Sequence, residues 1–316
     1  MGIPGGSARL LIEQAKRTPF RGTVLQLGRG TLYFTEPELR GWARRQGFQL
    51  HEPEEVKLSH DPQLRAQGCL GDETFFRMLG FDEVRSCDIA DWEGADYIFD
   101  LNEPVPEDLR GKFDAVFETG TITQIFDLPR VLANLHRLVK VGGRMIHCCT
   151  PTNNHMDLGF AMPCPTLFAD FYAANGYEIE AQYLCEYTSY WYNDRLFTPR
   201  MDVYDYTPGS LDGLSFGRYG GAQAANFVLA KRLEGSTGDQ VPQLGQYQAT
   251  WREFEEHGDQ ERSAGQSSEH ASKSFVERTF GTRGPGAAAG RGFKRATEWL
   301  RRRVLPRPMP PRLFRL

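Results

Sequence analysis

No stretch of this 316-residue chain approaches the roughly 18 consecutive apolar residues that a membrane-spanning helix needs. The opening Met-Gly-Ile-Pro-Gly-Gly-Ser lacks the basic and apolar regions of a secretory leader, so the expected location is the cytoplasm. Cysteine is sparse: Cys69, Cys87, Cys148, Cys149, Cys164 and Cys185 contain no C-x-x-C pair, which excludes a zinc ribbon or a disulfide framework, and no metal is expected. Cys148 and Cys149 are adjacent in an apparent strand, where neighbouring side chains point to opposite faces, and both read as reduced core residues. The main body is not basic either. Residues 283–316 carry ten Arg/Lys against Glu298 alone, which leaves −13 on residues 1–282 out of a formal net charge of −4. The main domain is therefore not expected to bind nucleic acid, whereas the basic tail reads as a solvated extension or, more sharply, as a contact for an anionic membrane surface or a polyanion.

What is present is a core-building composition, 40% hydrophobic with 12% aromatic. Thr23-Val-Leu-Gln-Leu-Gly28 is a short apolar run ending in glycine, as suits a buried parallel strand. Residues 36–48 read as a helix with Pro37 in its first turn and Gly47 near its end, followed by a second helix around Asp72–Leu79. Strands are expected at 84–88, 95–100, Phe113–Glu118, 144–149, 177–184 and 225–230. Helices are expected at 128–139, where Val131, Leu132, Leu135 and Leu138 share a face, and at 165–176, the first of these stopping at Gly142-Gly143. Such alternation calls for an α/β, doubly wound, mostly parallel seven-stranded sheet with helices on both faces. Residues 1–20 read as an extension, 21–235 as the domain, and 236–316 as a mostly disordered tail with a short basic helix near 293–305.

Ligands on such sheets bind at the carboxyl ends of the strands. An adenosine-type cofactor needs close backbone after the first strand, an acid for the ribose after the second, and polar groups for the adenine after the third. Gly28 and Gly30, then Asp88, then Asp100 and Asn102 meet these needs in order. Glycine at 28 and 30 equally permits a tight turn, and Asp88 and Asp100 equally suit local turn acids.

Five segments in sequence, Asp88-Ile-Ala, Asp100-Leu-Asn-Glu-Pro-Val-Pro106, Lys112-Phe-Asp-Ala-Val-Phe-Glu118, the helix at 128–139 and Val141-Gly-Gly-Arg-Met-Ile-His147, resemble the ordered motifs of class I S-adenosylmethionine-dependent methyltransferases. The resemblance is close over residues 23–150 and looser to 232. It implies a Rossmann-like sheet ending in an antiparallel strand, S-adenosylmethionine as cofactor held by Gly28, Gly30, Asp88, Asp100 and Leu101, and Glu118, Thr119 and Gly120 beside its methionine end. The chain departs from the pattern at Gln26, which replaces an acid, at Arg29 between the glycines, in the 60-residue interval from Gly28 to Asp88, and in lacking an acid-histidine pair after Glu118. A second loop, Gly68-Cys-Leu-Gly71, competes with residues 28–30 for the cofactor.

Beyond residue 149 lies Thr150-Pro-Thr-Asn-Asn-His155-Met-Asp157, in which His155 or Asp157 is the candidate base. His147 reads as a hydrogen-bonded core or rim residue. The aromatic group of Tyr183, Tyr187, Tyr190 and Trp191 reads equally as an acceptor pocket or a packing lid. The expected function is methyl transfer to an oxygen or nitrogen of a small-molecule or glycan acceptor; the alternatives are a non-catalytic methyltransferase-like scaffold and a nicotinamide-dependent enzyme, the latter disfavoured by Tyr33 where a third glycine would stand.

Overall fold

The computed structural model describes residues 2–155, 157–188, 201–211, 222–245, 247 and 312–315. The chain divides into two compact units: Met1–Ser210, Tyr219–Pro242 and Pro310–Leu316 form one, and Leu211–Arg218 with Gln243–Met309 the other. The first unit carries the elements below.

Its strands are β1 (Gly2–Ile3), β2 (Thr23–Leu27), β3 (Thr31–Leu32), β4 (Glu83–Asp88), β5 (Tyr97–Ile98), β6 (Phe113–Glu118), β7 (Val139–Asn153), β8 (Glu178–Thr188), β9 (Met201–Asp205), β10 (Ala222–Lys231) and β11 (Arg312–Arg315). Its helices are α1 (Gly5–Arg17), α2 (Glu36–Gln46), α3 (Pro62–Ala66), α4 (Asp72–Leu79), α5 (Leu128–Leu138) and α6 (Pro165–Ala174). Among the described residues no helix is long and apolar enough to cross a membrane.

One nine-stranded sheet runs in the order β11-β9-β8-β10-β7-β6-β2-β4-β5. The pairs β4·β5, β2·β4, β2·β6 and β6·β7 are parallel. β10 is antiparallel to both β7 and β8, which makes β8 parallel to the rest. The seven expected strands are all present, and β9 and β11 extend the β8 edge with antiparallel pairings.

Alternation along the strands separates two cores. Phe117 and Ile146 face one side with Leu11, Phe34, Phe75 and Phe227. Val116 and Met145 face the other with Leu132, Leu135, Phe168 and Val228. Each fully buried side chain of this size contributes about 1.5–3 kcal/mol relative to exposure.

Local chemistry sets the helix ends. Thr35 and Glu38 form a capping box at the start of α2, where Glu38 Oε2 accepts from the Thr35 amide at 2.7 Å, and Gly47 closes the helix in the left-handed region at φ 66°. Asp127 caps α5 by accepting from the Arg130 amide at 3.1 Å.

Three expectations are corrected. Residues 5–17 are not extension but α1, whose Ala8, Leu11, Ile12 and Ala15 are buried. The helix expected to reach Gly142-Gly143 stops at Leu138, and β7 begins at Val139. Gly143 is needed inside that strand because a Cβ there would lie 2.8 Å from the Asp114 carbonyl oxygen. Finally, Cys148 and Cys149 do not face opposite sides. Phe227 pairs with Cys148 and Asn226 with Thr150, so Cys149 is the extra residue of a β-bulge, with φ 59°, and both cysteines lie in the same core. A non-glycine residue in that region costs about 1–2 kcal/mol, which the packing around Cys149 must offset.

Candidate functional site

The carboxyl ends of β2, β4 and β5 lie side by side, and the loops that leave them form one rim. The Gly28 amide donates to the Cys87 carbonyl at 2.7 Å, with φ 72°. A Cβ on Gly28 would point at Asp88 Oδ2, 3.5 Å away, and Thr121 Oγ1, 3.7 Å away, and would fill a cradle between them. Thr121 is fixed by donating its hydroxyl to the Leu27 carbonyl at 2.7 Å. Asp88 uses Oδ1 to accept from the Ala90 amide at 3.2 Å. Asp100, after β5, accepts with Oδ1 from the Asn102 amide at 2.8 Å and from its Nδ2 at 3.0 Å. Leu101 is buried, and its carbonyl accepts from Asn134 Nδ2 at 2.9 Å.

Gly30 turns the other way. Its amide donates to Gln26 Oε1 at 3.1 Å, and a Cβ there would meet Gln26 and Ile3. The competing loop at 68–71 is closed by protein: the Gly71 amide donates to the Lys57 carbonyl at 2.9 Å, and a Cβ on Gly71 would lie 3.0 Å from the Lys57 and Leu58 carbonyl oxygens. Of the two glycine loops, the one at 28–30 faces Asp88.

The departures at Gln26 and Arg29 are joined through the first residue of α4. Gln26 Nε2 donates to Asp72 Oδ2 at 2.9 Å, and Arg29 Nη2 donates to Asp72 Oδ1 at 2.8 Å. The carboxylate missing from β2 is thus supplied in space by Asp72, which is buried. Arg29 Nη1 also reaches the Glu93 carbonyl at 3.1 Å, tying the loop after β2 to the loop after β4.

The carboxyl-terminal parts of β6 and β7, with the turn after β6, build a second feature. Glu118 is buried and fully engaged: its Oε1 receives hydrogen bonds from His147 Nδ1 at 2.8 Å and from the Thr150 hydroxyl, and its Oε2 from the Gly120 amide at 2.6 Å. Gly120 adopts φ 103° to allow this. His147 Nε2 meets the Tyr172 hydroxyl, so His147 is a core histidine. Thr119 points instead into a cavity of about 260 Å³, lined also by Gly2, Ser7, Cys149, His155 and Tyr187.

Within this cavity the His155 ring sits 3.1 Å from the Tyr187 hydroxyl through Nε2. Burial lowers its pKa, an effect opposed by a hydrogen bond with the Ala224 backbone and by proximity to Cys149. The ring is therefore unprotonated at neutral pH and able to accept a proton. Cys149 Sγ accepts from the Ser7 hydroxyl at 3.1 Å. The neighbouring Cys148 and Cys185, with Ser7, lower the Cys149 pKa, an effect opposed by burial and by Glu118. Asp157 is exposed, at φ 60°, and does not line the cavity. Tyr183 stacks on Phe227 in the core with centroids 5.8 Å apart, while Tyr190 and Trp191 lie outside the described residues.

The structure thus brings Gly28, Asp88, Asp100 and Leu101 onto one rim, and His155 and Thr119 into one cavity. Gly30 and Glu118 serve the protein's own hydrogen bonding. Sequence reasoning missed Gly2, Ser7 and Tyr33, all cavity-lining; the apolar spacing at Ala8, Leu11, Ile12 and Ala15 was the signal that would have placed a helix beside them.

No family model matches the chain, and no curated protein matches it. Among solved structures, a SAM-dependent methyltransferase from Thermotoga maritima is 12% identical, over 70% of this chain and 88% of that one, with a TM-score of 0.29. A sugar N-methyltransferase from Streptoalloteichus is 15% identical, over 72% of this chain and 73% of that one, with a TM-score of 0.23. These likenesses are distant, and the fold rests on the sheet itself. Read from β5, its first seven strands run β5-β4-β2-β6-β7-β10-β8 with β10 alone reversed among them, so the chain has a doubly wound, Rossmann-like sheet with the antiparallel strand expected from its sequence.

Proposed function

We propose that this chain is an S-adenosylmethionine-dependent methyltransferase acting on an oxygen or nitrogen of a small molecule or glycan. The observation that carries the reading is the left-handed turn at Gly28, which sets its backbone beside Asp88 and Thr121 at the carboxyl ends of the parallel strands, on the same end of the sheet as the cavity that holds His155. The donor set fits the cofactor. Asp88 Oδ2, beside Gly28, would accept from ribose hydroxyls, Asp100 would accept from the adenine amino group, and Leu101 would give an apolar edge. Bound there, the cofactor supplies an electrophilic methyl group on a sulfonium.

The chain's own part is placement and proton management. Gly28 admits backbone approach without a side chain in the way. The cavity would hold the acceptor atom in place, and such positioning accounts for much of the barrier in a transfer between two bound partners. His155, kept neutral by burial, would take the acceptor's proton at Nε2, the acceptor displacing the Tyr187 hydroxyl that now holds that nitrogen, while the Ala224 backbone keeps the ring oriented.

One observation favours a second reading, a methyltransferase-like binding or scaffold protein without turnover: Glu118, the acid that ends β6, is committed to His147, Thr150 and Gly120. Calorimetry with S-adenosylmethionine and S-adenosylhomocysteine on the wild type and Asp88→Ala tests the proposal. About micromolar binding, weakened at least tenfold in the variant, supports it. No binding by a folded wild type, or equal affinity in Asp88→Ala, overturns it, and binding without product across an acceptor panel selects the second reading.

A further inference from the structure

Gln223 brings β10 to the wall of the His155 cavity. It pairs across the sheet with Tyr187 of β8, and both line the same 260 Å³ space. Gln223 Nε2 donates to the Asn154 carbonyl at 3.1 Å, and Asn154 Nδ2 returns a bond to the Ala222 carbonyl at 2.6 Å, so the segment that carries His155 is latched to β10 twice. The first of these bonds fixes which way the Gln223 amide faces, because its oxygen cannot replace its nitrogen against a carbonyl. Gln223 Oε1 is then left buried with no hydrogen-bond partner. A buried carbonyl oxygen without a donor is unfavourable, and at the wall of a cavity a ligand can supply the donor.

The rest of the wall restricts that ligand. None of the described residues lining the cavity is Asp, Glu, Lys or Arg; Ser7, Tyr33 and Thr119 give neutral polar groups, and Pro4, Pro151 and Met201 give apolar ones. An ionic group entering such a space gives up water and meets no opposite charge. The volume also falls below the about 300–1,000 Å³ of pockets that enclose drug-sized ligands, so a single ring fills it. His155 Nδ1 and Gln223 Nε2 are 3.5 Å apart, which sets the accepting atoms of the two side chains within one ring's reach.

We propose that Gln223 is a specificity-determining residue and that the acceptor is an uncharged, single-ring molecule with two N–H or O–H donors, one engaging His155 Nε2 and the other Gln223 Oε1. The inference rests on the methyl-transfer reading of the same cavity and narrows its acceptor, setting aside rings that carry a carboxylate, a phosphate or an ammonium group. A dihydroxybenzene and a neutral sugar ring share this chemistry.

Calorimetry on the intact protein, with and without S-adenosylhomocysteine, tests this with resorcinol and methyl glucoside as neutral probes. Each is set beside a relative that lacks one donor (phenol; the deoxy glucosides) and an anionic relative (3-hydroxybenzoate; methyl glucuronide), and whichever neutral probe binds more tightly identifies the source. That probe is expected to bind about tenfold more tightly than its one-donor relative and at least about tenfold more tightly than its anionic one. Gln223→Met removes the accepting oxygen and is expected to abolish the preference for the second donor, with affinity for the one-donor relative held within about twofold. Gln223→Lys keeps a donor for the Asn154 carbonyl, adds a positive charge, and is expected to reverse the preference in favour of the anionic relative; it decides the matter if thermal denaturation shows Gln223→Met unfolded. Binding of neither neutral probe, equal or tighter binding of the anionic relatives by the wild type, or an unchanged preference in the folded variants overturns the proposal. Discrimination among the probes without S-adenosylhomocysteine binding supports the role of Gln223 and removes the cofactor reading, whereas S-adenosylhomocysteine binding with neither neutral probe bound overturns this inference and leaves that reading standing.

Discussion

The amide of Gln26 donates to the carboxylate of Asp72 at 2.9 Å, so a strand that lacks an acid receives one from the first turn of α4. Gln26→Glu therefore sets two buried carboxylates against each other and is expected to destabilise the fold by about 1–3 kcal/mol. Adding Asp72→Asn, which exchanges donor and acceptor, is expected to restore part of that loss. Urea denaturation of the two single variants and the double variant measures the coupling. Strictly additive losses would mean that the pair does not interact.

The two glycines after β2 differ in what they face, and substitution separates them. Gly28→Ala places a methyl in the open cradle, costs about 1 kcal/mol in backbone strain, and is expected to abolish cofactor binding while the protein stays folded. Gly30→Ala pushes a methyl to 3.1 Å from Gln26 Oε1 and Ile3 Cδ1, so its expected effect is on stability, with binding retained in the folded fraction. Calorimetry beside thermal denaturation reads both, and the reverse pattern would move the binding loop away from residue 28.

Glu118 is expected to act on the fold before it acts on any ligand. Glu118→Ala leaves His147, the Thr150 hydroxyl and the Gly120 amide without their acceptor in a buried site, and a loss of about 3–5 kcal/mol follows. Equilibrium denaturation measures it. A variant as stable as the wild type would show that the network is dispensable and return Glu118 to the list of ligand-contacting residues.

Stability is expected to fall as pH drops from about 6.5 to about 4. Burial, reinforced by Arg232, lowers the His136 pKa to about 4, and its ring is held against the Tyr177 hydroxyl at 2.8 Å. In that window the unfolded chain binds a proton that the folded chain refuses, so folding weakens with acidity and levels off below it. His136→Gln should flatten part of this slope when urea midpoints at pH 7 and pH 5 are compared; an unchanged slope would assign the effect to other groups.

Much of this was legible in sequence where a local signal agreed with its surroundings. Phe113–Glu118 and Asp72–Leu79 have the bounds expected of them, because an apolar run and a glycine-flanked amphipathic turn each match the burial they receive. The strand expected at 95–100 shrinks to Tyr97–Ile98, since Asp96 turns to accept from the Ser86 amide and hydroxyl. Helix α1 was hidden by Pro4, Gly5 and Gly6, weak helix formers overruled by the burial of Leu10, Leu11 and Ile12. The bulge at Cys149 left no trace in spacing, and no local signal would have joined Gln26 to Asp72 across 46 residues.

A single guanidinium, that of Arg29, holds Asp72 at the start of α4 and the Glu93 carbonyl in the loop beyond Asp88. The two loops that border Gly28 and Asp88 are thereby coupled: withdrawing the Arg29 side chain releases both at once. Amide hydrogens at 28–30 and at 90–94 should exchange with solvent in a common opening event, and the residence time of whatever binds between them is then governed by how often one arginine lets go.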